Sequence, residues 1–193
     1  MKVILIRHGE TEWSKTGRHT GRTDLPLLPE GEAAARAVAA RVAAQAPFAL
    51  VLASPLDRAR RTAELAGLEP ELDPDLQEWD YGEAEGRTTV EMRETRPGWT
   101  VWGDGSPGGE TADEVGARAD RVIERALAEG KGATVVLVAH GHLLRILGAR
   151  WLGLSASTGG GLALSTAALC VLGFERDRRV IVRWNDTAHV PEP

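Results

Sequence analysis

Residues 3–14 read Val3-Ile4-Leu5-Ile6-Arg7-His8-Gly9-Glu10-Thr11-Glu12-Trp13-Ser14. Four consecutive β-favouring apolar residues, bounded by polar residues and a glycine, predict a strand buried on both faces, as in a parallel sheet. Arg7 and His8 then stand at its carboxyl end, the edge of an open α/β sheet where ligands bind. A guanidinium clamps phosphate or carboxylate through paired N–H bonds, and an imidazole attacks or carries a proton. Read alone, the pair fits a solvated Arg beside a surface-turn His equally well. The rest of the chain has to decide between the two.

The 193 residues fit one domain, 1–193, long enough to bury a substantial core. A hydrophobic content of 42% with 26% charged residues excludes wholesale disorder. The net charge of −5 argues against a general nucleic-acid binder, whose affinity comes from neutralising phosphates, but not against a local arginine pocket. Cys170, the single cysteine, lies within the apolar run AALCVLGF and reads as a small buried hydrophobe. No apolar stretch is long enough to span a bilayer, and no signal peptide is apparent, so no membrane partner and a cytoplasmic location are expected. The oligomeric state, a homodimer included, is left open.

Strand and helix patterns alternate along the chain. Lys15 to Pro29 reads as a polar loop passing near the site. The Ala-rich run EGEAAARAVAARVAAQA predicts a helix ended by Pro47, and Ala49–Ala53 a second buried strand. Ser54-Pro55 then reads as N-cap and first residue of a helix that closes at Gly67. A weak strand near Glu71-Leu72 precedes an irregular Gly- and Trp-rich stretch with a short helix around Thr89–Thr95. Glu110 to Glu129 is predicted helical, with Thr111 and Glu114 as a capping box. ATVVLVAH is the strongest strand pattern, followed by the amphipathic helix HLLRILGARWLGL and a Gly-rich loop over Ser155–Ser165. AALCVLGF and RVIVRWN pair as a terminal hairpin across Glu175–Arg179. The alternation predicts an α/β fold: a three-layer α/β/α sandwich around a mostly parallel central sheet.

Four polar clusters follow four strand-like segments: Arg7-His8, Ser54 to Arg58, Glu78, and His140-Gly141-His142. Parallel strands put their carboxyl ends on one edge, so topology alone brings these clusters together. Two arginines, two histidines and a carboxylate on one edge suit a dianion undergoing acid–base chemistry. Glu78 alone is equally readable as a surface carboxylate, and Ser54 as nothing more than a helix cap. His140-x-His142 invites a metal pair, but side chains two apart at a strand end diverge, so neither a metal nor another cofactor is expected.

Arg7-His8-Gly9-Glu10-Thr11, LASPLDRARRTAE, LQEWDYGEAEG, GGETADEV and VLVAHGHLLRIL, in this order, resemble the motifs of the histidine phosphatase superfamily, the phosphoglycerate-mutase-like fold. The resemblance covers nearly the whole chain. It implies that His8 is the nucleophile that becomes phosphohistidine, its other ring nitrogen donating to a backbone carbonyl. It further implies that Arg7, Arg58 and His140 hold the phosphoryl oxygens, and that Glu78 protonates the leaving alkoxide and then activates water. Glu110 maps near the rim of the site. Arg60 and Arg61, round the helix from Arg58, are expected in solvent or in surface ion pairs.

Departures from the mutase pattern point to hydrolysis. Ser14 stands where that branch usually has Asn, and reaches phosphate only with a shorter donor. Trp79 replaces a cation of the carboxylate-binding pair, and Asp80 is expected to repel an acidic substrate. The cap segment, about 79–109, is short and poor in cations. The EWDYG string and His142 look most like the branch of acid phosphatases and sedoheptulose-bisphosphatases, implying a small phosphate ester such as a sugar phosphate or bisphosphate. Gly141, Trp79 and Tyr81 are then candidate substrate contacts. Trp79, Tyr81, Trp99 and Trp102 either line the mouth or pack the irregular segment. Alternatives are a cofactor-dependent phosphoglycerate mutase, a phosphoprotein phosphatase, or a regulatory module that keeps the fold without turnover.

Overall fold

The computed structural model describes residues 1–190. In chain order it comprises β1 (Lys2–Arg7), α1 (Glu12–Thr16), α2 (Pro29–Ala43), β2 (Phe48–Ala53), α3 (Asp57–Leu65), β3 (Glu71–Leu72), α4 (Thr89–Thr95), α5 (Val101–Asp104), α6 (Ala112–Gly130), β4 (Thr134–Ala139), α7 (Gly141–Trp151), β5 (Leu169–Glu175) and β6 (Arg178–Asp186). Six strands form one sheet in the order β3-β2-β4-β1-β5-β6. β3, β2, β4 and β1 run parallel, and the β5–β6 hairpin adds antiparallel to β1. The opening run therefore forms an inner strand, paired on both sides.

That position explains its unbroken apolarity. Leu5 faces a core built with α6 and α7, around Val115, Ala119, Ile123, Leu143 and Leu147. Ile4 and Ile6 face a second core with α2 and α3, around Val38, Val42 and Ala63. Each fully buried aliphatic chain contributes about 1.5–3 kcal/mol of transfer free energy, so alternate residues of β1 stabilise opposite layers of the sandwich. Cys170 of β5 is buried, and burial pushes its thiol up to about 11, as suits a small hydrophobe. Among the described residues no helix is long and apolar enough to cross a membrane.

Several local expectations change. Lys15–Pro29 is not all loop, because Thr11 and Ser14 close a capping box that starts α1. α3 begins at Asp57 rather than after Ser54, with Leu56 at the cap position and no side-chain cap. The Ser155–Ser165 stretch contains a 3-10 helix at Ala156–Gly161. α6 does open with the Thr111–Glu114 capping box, and the hairpin turns at Arg176-Asp177, where Arg176 adopts φ 57°.

Candidate active site

The loop leaving β1 is fixed before any side chain is considered. His8 N donates to Ala139 O of β4 (2.9 Å), and His8 O accepts from Ala167 N (3.1 Å). Gly9 N donates to Thr62 Oγ1 of α3 (3.0 Å). The chain then passes the start of α2 so closely that a Cβ on Gly9 would lie 2.3 Å from Gly31 O, and one on Gly31 the same distance from Glu10 O. Only two facing glycines permit that approach.

His8 Nδ1 lies 2.7 Å from Gly9 O. A carbonyl only accepts, so Nδ1 carries the proton and the lone pair is on Nε2. Burial holds the His8 imidazole well below its usual range, and Arg58 and Arg7 add to the effect. The ring therefore stays neutral at neutral pH. Arg7 donates from Nη1 to Leu164 O (2.6 Å), while its buried Nε–H has no partner among the described residues. An unpaired buried donor is costly unless a ligand accepts from it, and Arg7 and His8 both line a cavity of about 390 Å³. Gly141 lines it too, and a Cβ there would press on Arg7 at 3.3 Å.

His140 and Arg58 are fully buried and stand off the cavity wall. The His140 ring centroid is 5.2 Å from that of His8. Arg58 Nε donates to His140 Nδ1 (3.2 Å), so His140 Nε2 carries hydrogen and donates to Ser54 Oγ (2.7 Å). Burial, then Arg58, holds His140 well below the usual range as well. The other Arg58 donors go to the carbonyls of Thr23, Thr20 and Gly21. Ser54 is thus not a helix cap; its hydroxyl orients an imidazole 86 residues away. The sequence signal for this was present, since Ser54 directly follows β2 at the same edge.

Glu78 also lines the cavity, on backbone without regular secondary structure. Its Oε1 accepts from Trp79 N and Leu143 N (both 2.9 Å), and its Oε2 from His142 N (3.0 Å), at the N-terminus of α7. A helix start offers free N–H groups to an anion, so the carboxylate is docked there as a ligand would be.

Among the other expected contacts, Ser14 and Tyr81 line the cavity. The Ser14 hydroxyl is committed to the Thr11 backbone, accepting from its N–H and donating to its carbonyl. Tyr81 hydrogen-bonds through its hydroxyl to His142 Nδ1. Trp79 does not line the cavity: its ring is wholly buried, stacked near Tyr81 and edge-on to Trp102, with Nε1 donating to Glu110 O (2.7 Å). Trp99 is buried likewise, while Trp102 does line the wall. Asp80 is turned away into an ion pair with Arg22 (2.7 Å), so it does not repel a ligand. His140 and His142 diverge, one toward Arg58 and Ser54, the other toward Tyr81 and Trp102.

Among the ionisable residues of the cavity, sequence reasoning missed four: His19, Arg18, Arg93 and Arg145. His19 donates from Nδ1 to Arg87 O (2.6 Å), leaving an acceptor at Nε2. Arg145 lies over the Trp102 ring at 4.4 Å and donates to the carbonyls of Gly159 and Gly160. It stands three residues after His142 on α7, which placed it on the same helix face. His19 lies in a polar loop that carried no such signal. The cations that the cap segment lacks are therefore supplied mainly from outside it.

Residues 3–187 match the model of a family described as the histidine phosphatase superfamily (branch 1). The chain is 39% identical to an acid phosphatase of Mycobacterium tuberculosis over 195 aligned positions, covering 100% of this chain and 95% of the relative. It is 36% identical to a sedoheptulose 1,7-bisphosphatase of Saccharomyces cerevisiae, covering 79% of this chain and 68% of the relative. A solved Mycobacterium tuberculosis structure superposes with a TM-score of 0.92 at 38% identity, covering 95% of this chain and 96% of the other.

Proposed function

This chain belongs to the histidine phosphatase superfamily, branch 1, and is a phosphatase; from that premise we propose that it hydrolyses small phosphomonoesters through a phosphohistidine on His8, with no metal. The observation that carries this reading is the His8 Nδ1–H bond to Gly9 O, which leaves the Nε2 lone pair free on a residue that lines the same cavity as Arg7, whose Nε–H has no partner among the described residues. Nε2 attacks phosphorus in line; the N–P bond forms as the P–O bond to the leaving group breaks. Arg7 donates to the transferring oxygens, and its charge offsets the charge that develops there. Arg58, with most of its donors committed to carbonyls, acts chiefly through its charge and by holding His140. Protonated Glu78 gives its proton to the departing alkoxide. The resulting carboxylate takes a proton from water as that water attacks phosphorus, which releases phosphate and restores neutral His8.

The substrate is best read as a sugar phosphate or bisphosphate. Arg18, Arg93 and Arg145 line the cavity, and Glu78 is its single carboxylate, which favours a second anionic group on the substrate. His19 and His142, with ring centroids 6.2 Å apart, present polar ring edges to hydroxyls, and Trp102 offers an apolar face. The similarity to a sedoheptulose 1,7-bisphosphatase supports the same class. The test is phosphate release from sugar mono- and bisphosphates, 3-phosphoglycerate, phosphopeptides and p-nitrophenyl phosphate, with a mutase-coupled assay alongside. The highest kcat/KM is expected on a sugar bisphosphate. Preference for phosphopeptides, or phosphoglycerate interconversion without release, would overturn the assignment.

A further inference from the structure

The start of α7 meets the Glu78 carboxyl group, but the backbone that carries it lies outside any strand or helix, and proton transfer needs that carboxyl within hydrogen-bond reach of the leaving oxygen. Two residues outside the cavity that receives substrate supply the missing order. Arg118 of α6 donates from Nε to Glu110 Oε1 and from Nη2 to Glu110 Oε2, both at 2.8 Å. Its Nη1 donates to Asp75 O (2.9 Å) and Gln77 O (2.8 Å), and Nη2 also to Glu78 O (3.3 Å). Every N–H of the guanidinium is thereby used. Glu110 in turn accepts from Asp80 N at Oε2 (2.9 Å) and from Trp79 Nε1 at its carbonyl (2.7 Å), and its own N–H donates to Asp80 O (2.9 Å).

We propose that the Arg118–Glu110 pair is the positioning element for Glu78: it clamps the backbone on both sides of that residue and so sets the aim of its carboxyl group. This rests on the reading of Glu78 as proton donor and base. The pair is largely buried, with side chains 14% and 22% exposed, so its bonds are little weakened by solvent. Neither member lines the main cavity, so neither contacts a substrate held there. A surface ion pair that merely stapled α6 would have no reason to spend three donors on the carbonyls of residues 75, 77 and 78.

The test compares Arg118→Ala, Arg118→Lys, Glu110→Gln and Glu78→Gln on glycerol phosphate, whose alkoxide needs a proton, and on p-nitrophenyl phosphate, whose leaving group does not. Misplacing a catalytic group by about 1 Å costs up to ~10²-fold, so Arg118→Ala is expected to lower kcat on the alkyl ester by about 10–100-fold, with KM little changed. The loss on the aryl ester should be several-fold smaller. Arg118→Lys keeps the charge but not the fork, and should behave like Arg118→Ala. Added guanidinium ion, admitted through a cavity of about 90 Å³ lined by Glu78, Glu110 and Arg118, should restore the alkyl rate of Arg118→Ala. Should Arg118→Ala not fold, Arg118→Lys and Glu110→Gln carry the comparison. Equal losses on both esters in the Arg118 and Glu110 variants, while Glu78→Gln discriminates between them, would overturn the clamp alone. Equal losses in Glu78→Gln itself would overturn the acid–base reading beneath it.

Discussion

His8 and Glu78 face one cavity from two kinds of backbone. His8 hangs from an inner strand, its peptide bonded to β4 on one side and to Ala167 on the other, with facing glycines behind it. Glu78 hangs from coil, held by side chains that reach over from α6 and by the start of α7. On the proposed reading the strand-borne half carries the phosphoryl chemistry; His8, His140 and Arg58 are buried, and Arg58, His140 and Ser54 are linked by hydrogen bonds. On the same reading, Glu78 carries proton transfer, and Tyr81, Arg93 and Trp102 of the segment that follows it add to the wall that meets the rest of the substrate. Order at the reacting atoms comes with the sheet, whereas shape around the substrate comes from segments that can vary without disturbing it.

The hardest blow to that division is His8→Ala. The nucleophile acts as a unit with the groups around it, so kcat should fall by about 10³-fold or more, while the fold survives. The alanine removes an imidazole that burial first, and then Arg58 and Arg7, keep neutral, so no ion pair is lost with it. A change of about 1 kcal/mol would move Tm by roughly 2–4 °C in a chain of this size, and the shift should not exceed a few times that. Turnover above about a hundredth of wild type would remove His8 as nucleophile. Collapse of the fold would show that the strand half cannot be separated into scaffold and chemistry.

The same contrast governs what was legible. The runs at β1 and β4 must be apolar on both faces because each lies between two strands and two helical layers, so they announce themselves without any structure. The Thr111–Glu114 box is equally plain, being a contact between residues three apart. Ser54 was misread because Ser-Pro is a good local start for a helix, while its actual partner, His140, lies far along the chain. Trp79 and Asp80 were misread because coil has no period: nothing local says which of them faces a cavity, and each faces away from it. Arg118 escaped notice for a related reason, since its acceptors are backbone carbonyls, which carry no sequence signature.

A gentler probe of the strand half is Arg58→Gln, read through pH. Burial is the largest cause of the low His8 pKa and Arg58 the next. Removing that positive charge lets the imidazolium form more readily, so the pKa rises part of the way back toward 6.5. Since only the neutral ring attacks, the acidic limb of kcat/KM should move to higher pH, alongside a loss of about 10²-fold at the plateau from weakened electrostatic stabilisation. A limb that stays at its wild-type position would mean that Arg58 does not govern the protonation of His8. The bonds of Arg58 to His140 and to the Thr20, Gly21 and Thr23 carbonyls would then be structural alone.

The smallest effect is expected in the coil half, from Arg145→Met. Arg145 stands on α7 but belongs functionally with the cap, lying over Trp102 and tied to the Gly159 and Gly160 carbonyls. If it meets a second anionic group, its loss removes one partly screened ion pair; about 1.4 kcal/mol corresponds to a tenfold change in affinity. KM for a sugar bisphosphate should therefore rise about tenfold, and KM for an alkyl monophosphate with no second anionic group should stay within about twofold. kcat on both should hold, because the interaction is the same in ground and transition states. An equal rise on both substrates would mean that Arg145 shapes the wall and reads no charge. A fall in kcat would mean that the substrate wall and the proton-transfer group are coupled within that half, because Arg145 shares α7 with the backbone N–H groups that hold Glu78.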